Sequence, residues 1–562
     1  MRRSKRSRIT VRVAALMAVL GCTAAAPTCN GGPNDPPKGP PNLVLIMADD
    51  MGFSDIGCYG SEIKTPNLDA LAANGLRFTH FYNGARCCPS RAALLTGLYA
   101  HQAGMGEMEP DRKVPGYRGN INKQCVTIAE AMKSNGYATY MSGKWHLTRN
   151  SKAQTEADKF NWPLQRGFDR YYGIIGGAAS FFEPKTLTRD NEGIDDEPKN
   201  DPAYYFTDAI SDSAVAFIND HCRNAPDKPF FSYVAYTSPH WPLMARDRDI
   251  AKYKGRYDAG WDTLRKERHE RMINMGIIDR KWPLPPRDAR VLPWAEAEAS
   301  AVGGPVEEAL KSTGGTLRAE MARKMEVYAA MIDCMDQGIG RIVDALKKNG
   351  RLDNTLILFL SDNGGCDEWG TYGFGWERLK DNQALAGTRD SSISYGPAWA
   401  HVSNTPFRWY KLYVHEGGIA TPLIAHWPAR IKDKGALRRQ VSHIIDVMPT
   451  FIQAANAAYP AEYAGNRIQP MEGVSLIPAF DGEALQRKGP LFWEHIGNRA
   501  VRDGKWKLVS LKRNDNRWEL YDMEADRTEM NDLAGKHPDI VGKLDAAWQA
   551  WATRCNVLPN GQ

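Results

Sequence analysis

The run Cys87-Cys88-Pro89-Ser90-Arg91 places a thiol, a hydroxyl and a guanidinium close together along the chain. Proline is favoured in the first turn of a helix, so the run predicts a helix that begins just after the Cys87 thiol. The N–H groups and the dipole at a helix N-terminus attract anions, and Arg91 adds a full positive charge. These residues predict an oxyanion site beside a thiol. The alternative is an ordinary helix start with two cysteines buried as small apolar side chains.

Carboxylates follow two strongly apolar segments. Asp49-Asp50 comes after the apolar run at 42–48, and Asp362-Asn363 comes after the run at 355–361. In open α/β sheets ligands gather at the carboxyl ends of strands, so these four side chains are expected to converge. Three carboxylates and one amide oxygen form a ligand set that suits Ca²⁺ or Mg²⁺. Two loops that begin with capping aspartates are the alternative.

Four further side chains have surroundings that suggest chemistry: Lys144, His146, His240 and Lys411. Lys144 and His146 follow an apolar run and lie two residues apart, which puts them on the same side of an extended segment. His240 lies between two prolines, which restrict its backbone and hold an imidazole in place. Taken singly, each also fits a structural role as a solvated lysine, a packing histidine or an aromatic loop anchor.

The elements that must position these residues alternate between strands and helices. The continuous apolar run at 42–48 is typical of a strand buried on both faces of a parallel sheet. Further apolar runs lie at 136–141, 229–236 and 355–361, and apolar residues recur at helical spacing from Met321 to Asn349. We therefore predict an α/β catalytic domain over residues 42–459, with a large mixed, mainly parallel sheet flanked by helices.

This alternation stops near residue 459. A hairpin with an Asp503-Gly504 turn, a strand at 518–522 and a closing amphipathic helix predict a smaller C-terminal α+β domain over 460–562, built on an antiparallel sheet.

Two irregular blocks, at 246–313 and 365–405, are expected to shape the mouth of a pocket. Arg408, Trp399 and Tyr395 are candidates to contact the part of a substrate that lies outside the reacting group.

The N-terminal segment is typical of a secretion signal over residues 1–21, because a basic start precedes a short apolar run and small residues. The tetrapeptide Val19-Leu20-Gly21-Cys22 resembles the lipobox of bacterial lipoproteins, in which Cys22 carries the lipid anchor. Ordinary signal cleavage near residues 24–26 is the alternative. Residues 22–41 form a Pro/Gly-rich tether. We expect an exported protein, either periplasmic or anchored to a bacterial membrane as a lipoprotein.

The rest of the chain is electrically balanced. Six of the 72 basic residues lie in the first 21 positions, which leaves 66 basic and 66 acidic residues beyond them. Nucleic-acid binding needs a concentrated basic face, so the composition argues against such a partner. The ten cysteines show neither metal-type pairs nor a dense disulfide framework, and one or two disulfides stay open.

Six blocks together resemble one enzyme family. Residues 87–97 match Cys-x-Pro-Ser-Arg-x-x-x-Leu-Thr-Gly, the pattern of type I sulfatases in the alkaline-phosphatase superfamily. The other blocks also stand in the family's order: Asp49-Asp50, Gly143-Lys144-Trp145-His146, Ser238-Pro239-His240, Ser361-Asp362-Asn363-Gly364 and Lys411. The resemblance covers nearly everything after the tether. It implies an alkaline-phosphatase-like fold and an arylsulfatase-like sulfuric ester hydrolase.

The resemblance also implies roles for the residues. A formylglycine-generating or sulfatase-maturing enzyme would oxidise Cys87 to formylglycine, whose hydrate would attack the sulfur of a sulfate ester. The implied cation is Ca²⁺, with Mg²⁺ less expected. Its implied ligands are Asp49, Asp50, Cys87, Asp362 and Asn363. The implied catalytic residues are Cys87, Arg91, Lys144, His146, His240 and Lys411.

In this scheme Lys144 and Lys411 hold the sulfate and His240 protonates the leaving oxygen. His146 removes a proton from the hydrate, and Arg91 holds the hydrate in place. Three alternatives to a sulfatase are a phosphonate or phosphate monoester hydrolase of the same superfamily, a lipoprotein that binds sulfated glycans without cleaving them, and a structural surface protein. The last is the least expected, because it would not need three carboxylates at strand ends.

Overall fold

A computed structural model describes residues 39–298, 315–368, 370–373 and 386–559. The predicted signal at 1–21, the lipid-anchor candidate Cys22 and most of the predicted tether lie outside these residues. Parts of both irregular blocks also lie outside them. Within the described ranges, no helix has the length and apolar character needed to cross a membrane.

The strands follow the predicted apolar runs closely. They are β1 (Asn42–Ala48), β2 (Leu76–Tyr82), β3 (Ala138–Gly143), β4 (Arg170–Ile174), β5 (Leu187–Arg189), β6 (Glu192–Gly193), β7 (Phe230–Ala235), β8 (Thr355–Ser361), β9 (Ala420–His426), β10 (Ala436–Arg438), β11 (Ser442–His443), β12 (Glu462–Tyr463), β13 (Asn466–Arg467), β14 (Leu491–His495), β15 (Asn498–Asp503), β16 (Trp506–Ser510) and β17 (Trp518–Asp522).

One large sheet has the order β10-β2-β9-β8-β1-β7-β3-β4-β5-β6, with β11 also paired to β2. β1 runs parallel to β7 and β8, and β3 runs parallel to β7 and β4. β9 runs antiparallel to β8 and β2. The carboxyl ends of β2, β8, β1, β7 and β3 and the start of β9 therefore lie at the same edge of the sheet. The predicted mixed, mainly parallel sheet is confirmed.

The α-helices of the described residues are α1 (Pro66–Ala73), α2 (Cys87–Thr96), α3 (Ile128–Ser134), α4 (Phe206–Asn224), α5 (Asp247–Ile250), α6 (Gly260–Asn274), α7 (Leu317–Lys348), α8 (Gly396–Ser403), α9 (Glu416–Ile419), α10 (Val447–Ala454), α11 (Ile477–Phe480) and α12 (Pro538–Arg554). One group, α1, α4 and α5, packs against α7, and a second group consists of α2, α3 and α10. α7 begins four residues before the predicted Met321, because the Thr316 hydroxyl caps the Ala319 N–H.

The helix that carries Cys87 begins one residue earlier than predicted. Arg86 is the last extended residue, and its carbonyl accepts the first helical hydrogen bond, from the Ser90 N–H. Cys87 is therefore the first helical residue rather than a residue just before the helix. All residues of α2 are buried, and the helix ends at Gly97, whose positive φ of 68° suits glycine.

The C-terminal region contains the predicted antiparallel sheet, in the order β14-β15-β16-β17, and α12 packs on β15 and β16. This sheet is joined to the large sheet by a buried ion cluster. Glu416, at the start of α9, accepts hydrogen bonds from Lys507 at 2.9 Å and from Arg527 at 2.8 Å. All three side chains are fully buried. Buried charges are stable only when they are paired, so each region supplies partners that the other requires.

Candidate active site

The large sheet brings five of the six sequence blocks to one edge through the strands that precede them, and the sixth through the strand that follows it. Asp49 and Asp50 follow β1, Lys144 and His146 follow β3, His240 follows β7, and Asp362 and Asn363 follow β8. α2 with Cys87 follows β2. Lys411 precedes β9, which is antiparallel, so it reaches the same edge from the opposite direction. All of these side chains are at most 5% exposed.

The carboxylates and the amide after β1 and β8 form one hydrogen-bonded group. The Asn363 Nδ2 donates to Asp50 Oδ1 at 2.7 Å, and the Asp50 N–H donates to Asp362 Oδ1 at 3.2 Å. Asp50 has a positive φ of 62°, a conformation that non-glycine residues rarely adopt and that is concentrated at functional sites. The backbone turn after β1 therefore points successive carboxylates into the same small space.

Two buried oxygens of this group have no hydrogen-bond partner among the described residues: Asp49 Oδ1 and Asn363 Oδ1. One oxygen each from Asp49 and Asp50 and a ring nitrogen of His240 lie within 4.8 Å of one another. Unsatisfied buried oxygens cost free energy unless something binds them. The donors Asp49, Asp50, Asp362 and Asn363 all offer oxygen, and they fit a hard divalent cation.

Arg91 balances part of this negative charge. Its Nε and Nη2 donate to Asp362 Oδ2 at 3.1 and 2.8 Å, its Nη2 lies 3.6 Å from Asp49 Oδ1, and its Nη1 donates to the Lys144 carbonyl. Burial and the Asp49 carboxylate raise the pKa of Asp362, and Arg91 opposes that rise. Arg91 thus acts on the carboxylates and on the backbone of Lys144, and its guanidinium nitrogens are committed to these contacts.

Lys144 donates to Asp49 Oδ2 at 2.7 Å, and both side chains are fully buried. Burial alone would raise the pKa of Asp49, but the charges of Lys144, His240 and Arg91 outweigh it and lower the pKa to about 2. Asp49 is therefore ionised at neutral pH.

Cys87 lies in a polar cluster with Cys88 and His146, in which the two sulfurs and one imidazole nitrogen are within 4.8 Å of one another. A hydrogen bond from Cys88 lowers the pKa of the Cys87 thiol, burial opposes this, and Lys144 and His146 lower the pKa further. The net pKa lies well below the usual value for cysteine. A low thiol pKa in a cationic environment marks a reactive position rather than an inert core cysteine.

Glu109 belongs to this cluster but was not predicted from the sequence. Its Oε1 lies 2.7 Å from Nε2 of His146. Among the described residues the other ring nitrogen, Nδ1, has no hydrogen-bond partner. Glu109 lies in a loop outside every motif, so only the three-dimensional contact identifies it.

Lys411 and His240 lie together beside Asp50. Lys411 Nζ donates to Asp50 Oδ2 at 3.0 Å and lies 3.4 Å from His240 Nε2, which is also 3.4 Å from Asp50 Oδ2. Glu368, another residue missed by the sequence analysis, lies 3.9 Å from Lys411 and accepts a hydrogen bond from the Trp241 indole. Burial would lower the pKa of Lys411, but Asp50, Cys366 and Glu368 raise it well above the usual value.

Two residues expected at the pocket mouth lie elsewhere. Trp399 is fully buried and packs edge-on against Trp261 and Tyr257, and Tyr395 is stacked on Tyr328. That prediction was wrong because these aromatic side chains are part of the hydrophobic core rather than the rim of a pocket. Arg408 is half-buried and lies three residues before Lys411 in the sequence.

All eight cysteines of the described chain are free. The arrangement places two lysines, two histidines and a group of carboxylates around residue 87, and it can bind a tetrahedral oxyanion and move protons beside it.

Comparison with known proteins gives a consistent result. The family profile described as Sulfatase matches residues 41–457, and a profile described as N-sulphoglucosamine sulphohydrolase, C-terminal, matches residues 406–546. The chain is 34% identical over 483 residues to the arylsulfatase of Klebsiella aerogenes, which covers 82% of this chain and 96% of that protein. It is 32% identical over 557 residues to an uncharacterized sulfatase of Schizosaccharomyces pombe, which covers 92% and 94%. Among solved structures, Ps i-CgsB in complex with k-i-k-neocarrahexaose has a TM-score of 0.63 and 26% identity, and the alignment covers 91% of this chain and 92% of that chain.

Proposed function

This chain belongs to the sulfatase family and hydrolyses sulfate esters, and we propose that it does so with a formylglycine made from Cys87 and a Ca²⁺ ion bound beside it. The observation that carries the proposal is the convergence of both lysines, both histidines and the oxygen ligands on residue 87. The buried oxygens Asp49 Oδ1 and Asn363 Oδ1, which have no hydrogen-bond partner among the described residues, support the proposal of a bound cation.

The proposed ligands of the cation are Asp49, Asp50, Asp362, Asn363 and the side chain of residue 87. The hydrate of a formylglycine at residue 87 would supply a hydroxyl nucleophile, and a cation held by these ligands would offset negative charge on it and on the sulfate. Oxygen donors also suit Mg²⁺, which demands a smaller octahedral site with retained waters. Ca²⁺ is favoured because all four protein donors come from two short loops of irregular geometry.

The lysines hold the reacting group. Lys144 and Lys411 reach the site from different strands, and each is anchored by one carboxylate, Asp49 or Asp50. Buried ammonium groups fixed in this way stabilise charge on the sulfate oxygens without having to reorganise.

The histidines move protons. His240 Nδ1 contacts the Trp241 carbonyl, so that nitrogen carries a proton and Nε2 faces the site beside Lys411. We assign His240 to the leaving oxygen. His146, held by Glu109, accepts a proton at residue 87.

We also propose export of the protein, with Cys22 as a lipid anchor, from the basic and apolar N-terminal pattern. Labelling with radioactive palmitate in a bacterial host tests the anchor, and the Cys22→Ala variant is the control. Equal labelling of both proteins would contradict it.

The decisive experiment is on protein purified from a host with a maturing enzyme. An aldehyde-reactive hydrazide should label a peptide that contains residue 87, and 4-nitrophenyl sulfate should be hydrolysed faster than 4-nitrophenyl phosphate. An unlabelled but active enzyme would rule out formylglycine. A large preference for the phosphate ester would favour a phosphate monoester hydrolase instead.

A further inference from the structure

A cavity of about 340 Å³ next to the Lys411 loop has a strongly cationic wall. The charged residues that line it are Arg287, Arg290, Arg408, Arg513 and Asp288. Within the described chain, four guanidinium groups thus face one carboxylate, and none of them belongs to the site around residue 87. Arg287 and Arg408 are half-buried, whereas Arg290 and Arg513 are exposed, and together they give this wall a positive potential that attracts anions.

The carboxylate of this cavity is already engaged. Asp288 Oδ2 accepts hydrogen bonds from Arg290 at 2.7 Å and from the Tyr410 hydroxyl at 2.8 Å. Arg290 also pairs with Asp367 at 2.9 Å, and Arg287 pairs with Asp262 at 2.9 Å. Two of the four arginines are therefore neutralised.

The other two arginines form no such close ion pair, although the charge of Arg408 contributes to the lowered pKa of Glu519, after the opposing effect of burial and the hydrogen bonds from His415 and Tyr521. No carboxylate of the described residues lies within 4.0 Å of Arg408 or Arg513. Both guanidinium groups lie over the Trp409 indole, at 6.0 and 4.8 Å from the ring centroid. Arg408 donates to the Glu529 carbonyl and Arg513 to the Tyr413 hydroxyl. A guanidinium has five N–H donors, so each retains donors for a ligand oxygen.

A buried histidine in the same wall has a donor without an acceptor. His401 is 5% exposed, and its Nδ1 accepts a hydrogen bond from the Asp288 N–H at 3.3 Å. Its proton must then lie on Nε2, which has no partner among the described residues. An unsatisfied buried donor is unfavourable, and a ligand oxygen would satisfy it.

Arg265 adds positive potential behind this wall. It donates to the Pro285 carbonyl at 2.6 Å, while its Nε and Nη2 have no acceptor in the described chain. Burial lowers its pKa to about 10. Three buried nitrogens in or behind this wall, two of Arg265 and one of His401, therefore lack an acceptor within the described chain.

The cavity and the candidate active site share one loop. Trp409 and Tyr410 line the cavity and Lys411 enters the active site. Trp409 has a positive φ of 65°, which is strained for a large side chain. Gly417 holds this conformation, because its N–H donates to the Arg408 carbonyl and a Cβ there would lie 2.1 Å from the Trp409 carbonyl oxygen. A second link is Asp367, which pairs with Arg290 and precedes Glu368 beside Lys411.

We propose that this cavity is a second anion subsite and that the substrate is an extended, multiply charged saccharide. Its scissile sulfate lies between Lys144 and Lys411, and a sulfate or carboxylate of another sugar unit binds Arg408, Arg513 and His401. This inference rests on the proposed function, because it names the substrate class of the same enzyme.

The test compares two kinds of substrate in the matured enzyme. One is 4-nitrophenyl sulfate, with a single anionic group, and the other is a panel of sulfated tetrasaccharides from chondroitin sulfate, heparan sulfate and carrageenan. In the Arg408→Ala/Arg513→Ala variant, the ratio of kcat/KM for the best tetrasaccharide to that for the aryl sulfate should fall by roughly 10- to 100-fold, mainly through KM. The matched control is Arg430→Ala, because Arg430 also lies over an indole, that of Trp427, but pairs with Asp481 outside the cavity. Its ratio should not change.

Binding without turnover gives an independent measurement. In a Cys87→Ala background, the tetrasaccharides should change tryptophan fluorescence, and the two arginine substitutions should weaken that binding at least tenfold. Tetrasaccharides that keep their uronates but lose all sulfates other than the scissile one separate a carboxylate ligand from a sulfate ligand.

An unchanged ratio in the double variant would overturn the subsite, as would a panel in which no multiply charged saccharide binds or is turned over. Failure of the wild-type enzyme to hydrolyse 4-nitrophenyl sulfate would instead overturn the proposed function. The two failures are therefore distinguishable.

Discussion

Oε1 of Glu109 lies 2.7 Å from Nε2 of His146, a histidine that is only 2% exposed. This contact fixes the proton of the neutral imidazole on Nε2, so Nδ1 is the nitrogen left for the group at residue 87. A carboxylate behind a histidine also raises the basicity of the ring.

Replacing Glu109 by Gln should lower kcat by about 10- to 100-fold with little effect on KM, because the ring loses its fixed orientation and its charged partner. Without that carboxylate the pKa of His146 falls, so the acid limb of the pH–rate profile should move to lower pH. The matched control is Glu107→Gln. Glu107 lies two residues before Glu109 and pairs with Arg112 instead of a histidine. An equal loss in both variants would assign the effect to the loop.

The adjacent cysteines should behave differently on substitution. Cys87→Ala should reduce sulfate release by at least ~1,000-fold because it removes the nucleophile, whereas Cys88→Ala should keep activity within a few-fold. Both side chains are buried, so thermal unfolding of each variant is the control for folding. The reverse order of activities would overturn the assignment of chemistry to Cys87.

His240→Gln should affect substrates according to their leaving groups. An alkyl or sugar alcohol needs protonation as it departs, so its hydrolysis should slow by roughly 100- to 10,000-fold. The 4-nitrophenolate anion leaves without a proton, and 4-nitrophenyl sulfate should lose far less. Equal losses for the two substrates would show that His240 binds sulfate rather than protonating the leaving oxygen.

Removal of divalent cations by EGTA or EDTA should lower both activity and thermal stability, because a ligand that binds only the folded state is lost and the lysines and Arg91 alone must then offset the repulsion among Asp49, Asp50 and Asp362. Adding back Ca²⁺ should restore the melting temperature more effectively than Mg²⁺. The Asp362→Asn variant should show a much smaller cation-induced shift. If neither the chelator nor added Ca²⁺ changes the melting temperature of the wild-type protein, the proposed metal site is contradicted.

Acid should destabilise the fold partly through His443. Burial and the nearby Arg487 lower its pKa to about 3 in the folded protein, against about 6.5 when unfolded. Between these values the unfolded chain binds a proton that the folded chain does not, so stability falls as pH decreases from 6.5 towards 3. His443→Gln should reduce the slope of the unfolding free energy against pH by about 1 kcal/mol per pH unit in this range. Urea titrations at several pH values measure that slope. A His443→Gln variant whose slope between pH 6.5 and 3 equals that of the wild type would contradict the assignment to His443.

The sequence predicted the large sheet well because each of its central strands is a continuous apolar run. β8 coincides with the predicted run at 355–361, and Asp362 follows it directly. Placement of the site followed from one rule, that ligands gather at the carboxyl ends of parallel strands. Lys411 could not be placed by that rule, since β9 runs the other way and its start, not its end, reaches the site.

The remaining features depend on contacts between residues far apart in sequence. Glu109 reaches His146 across 37 positions, and Glu368 reaches Lys411 through an irregular loop. Neither carboxylate has a local pattern that distinguishes it from a solvated one. The prediction that Trp399 lies at a pocket rim failed for a similar reason. Its local sequence does not show whether an aromatic side chain of α8 packs in the core or lies at the surface, and its contact with Trp261 places it in the core.

The buried cluster of Glu416, Lys507 and Arg527 has a consequence for engineering the enzyme. Glu416 lies five residues after Lys411, so the charges that hold this loop come from the C-terminal sheet. A truncated protein that ends before residue 490 would leave Glu416 without Lys507 and Arg527 in a buried position, and the loop that carries Lys411 would lose its support. The two regions are therefore not interchangeable modules. A chimera built from two such enzymes must inherit all three residues from one parent.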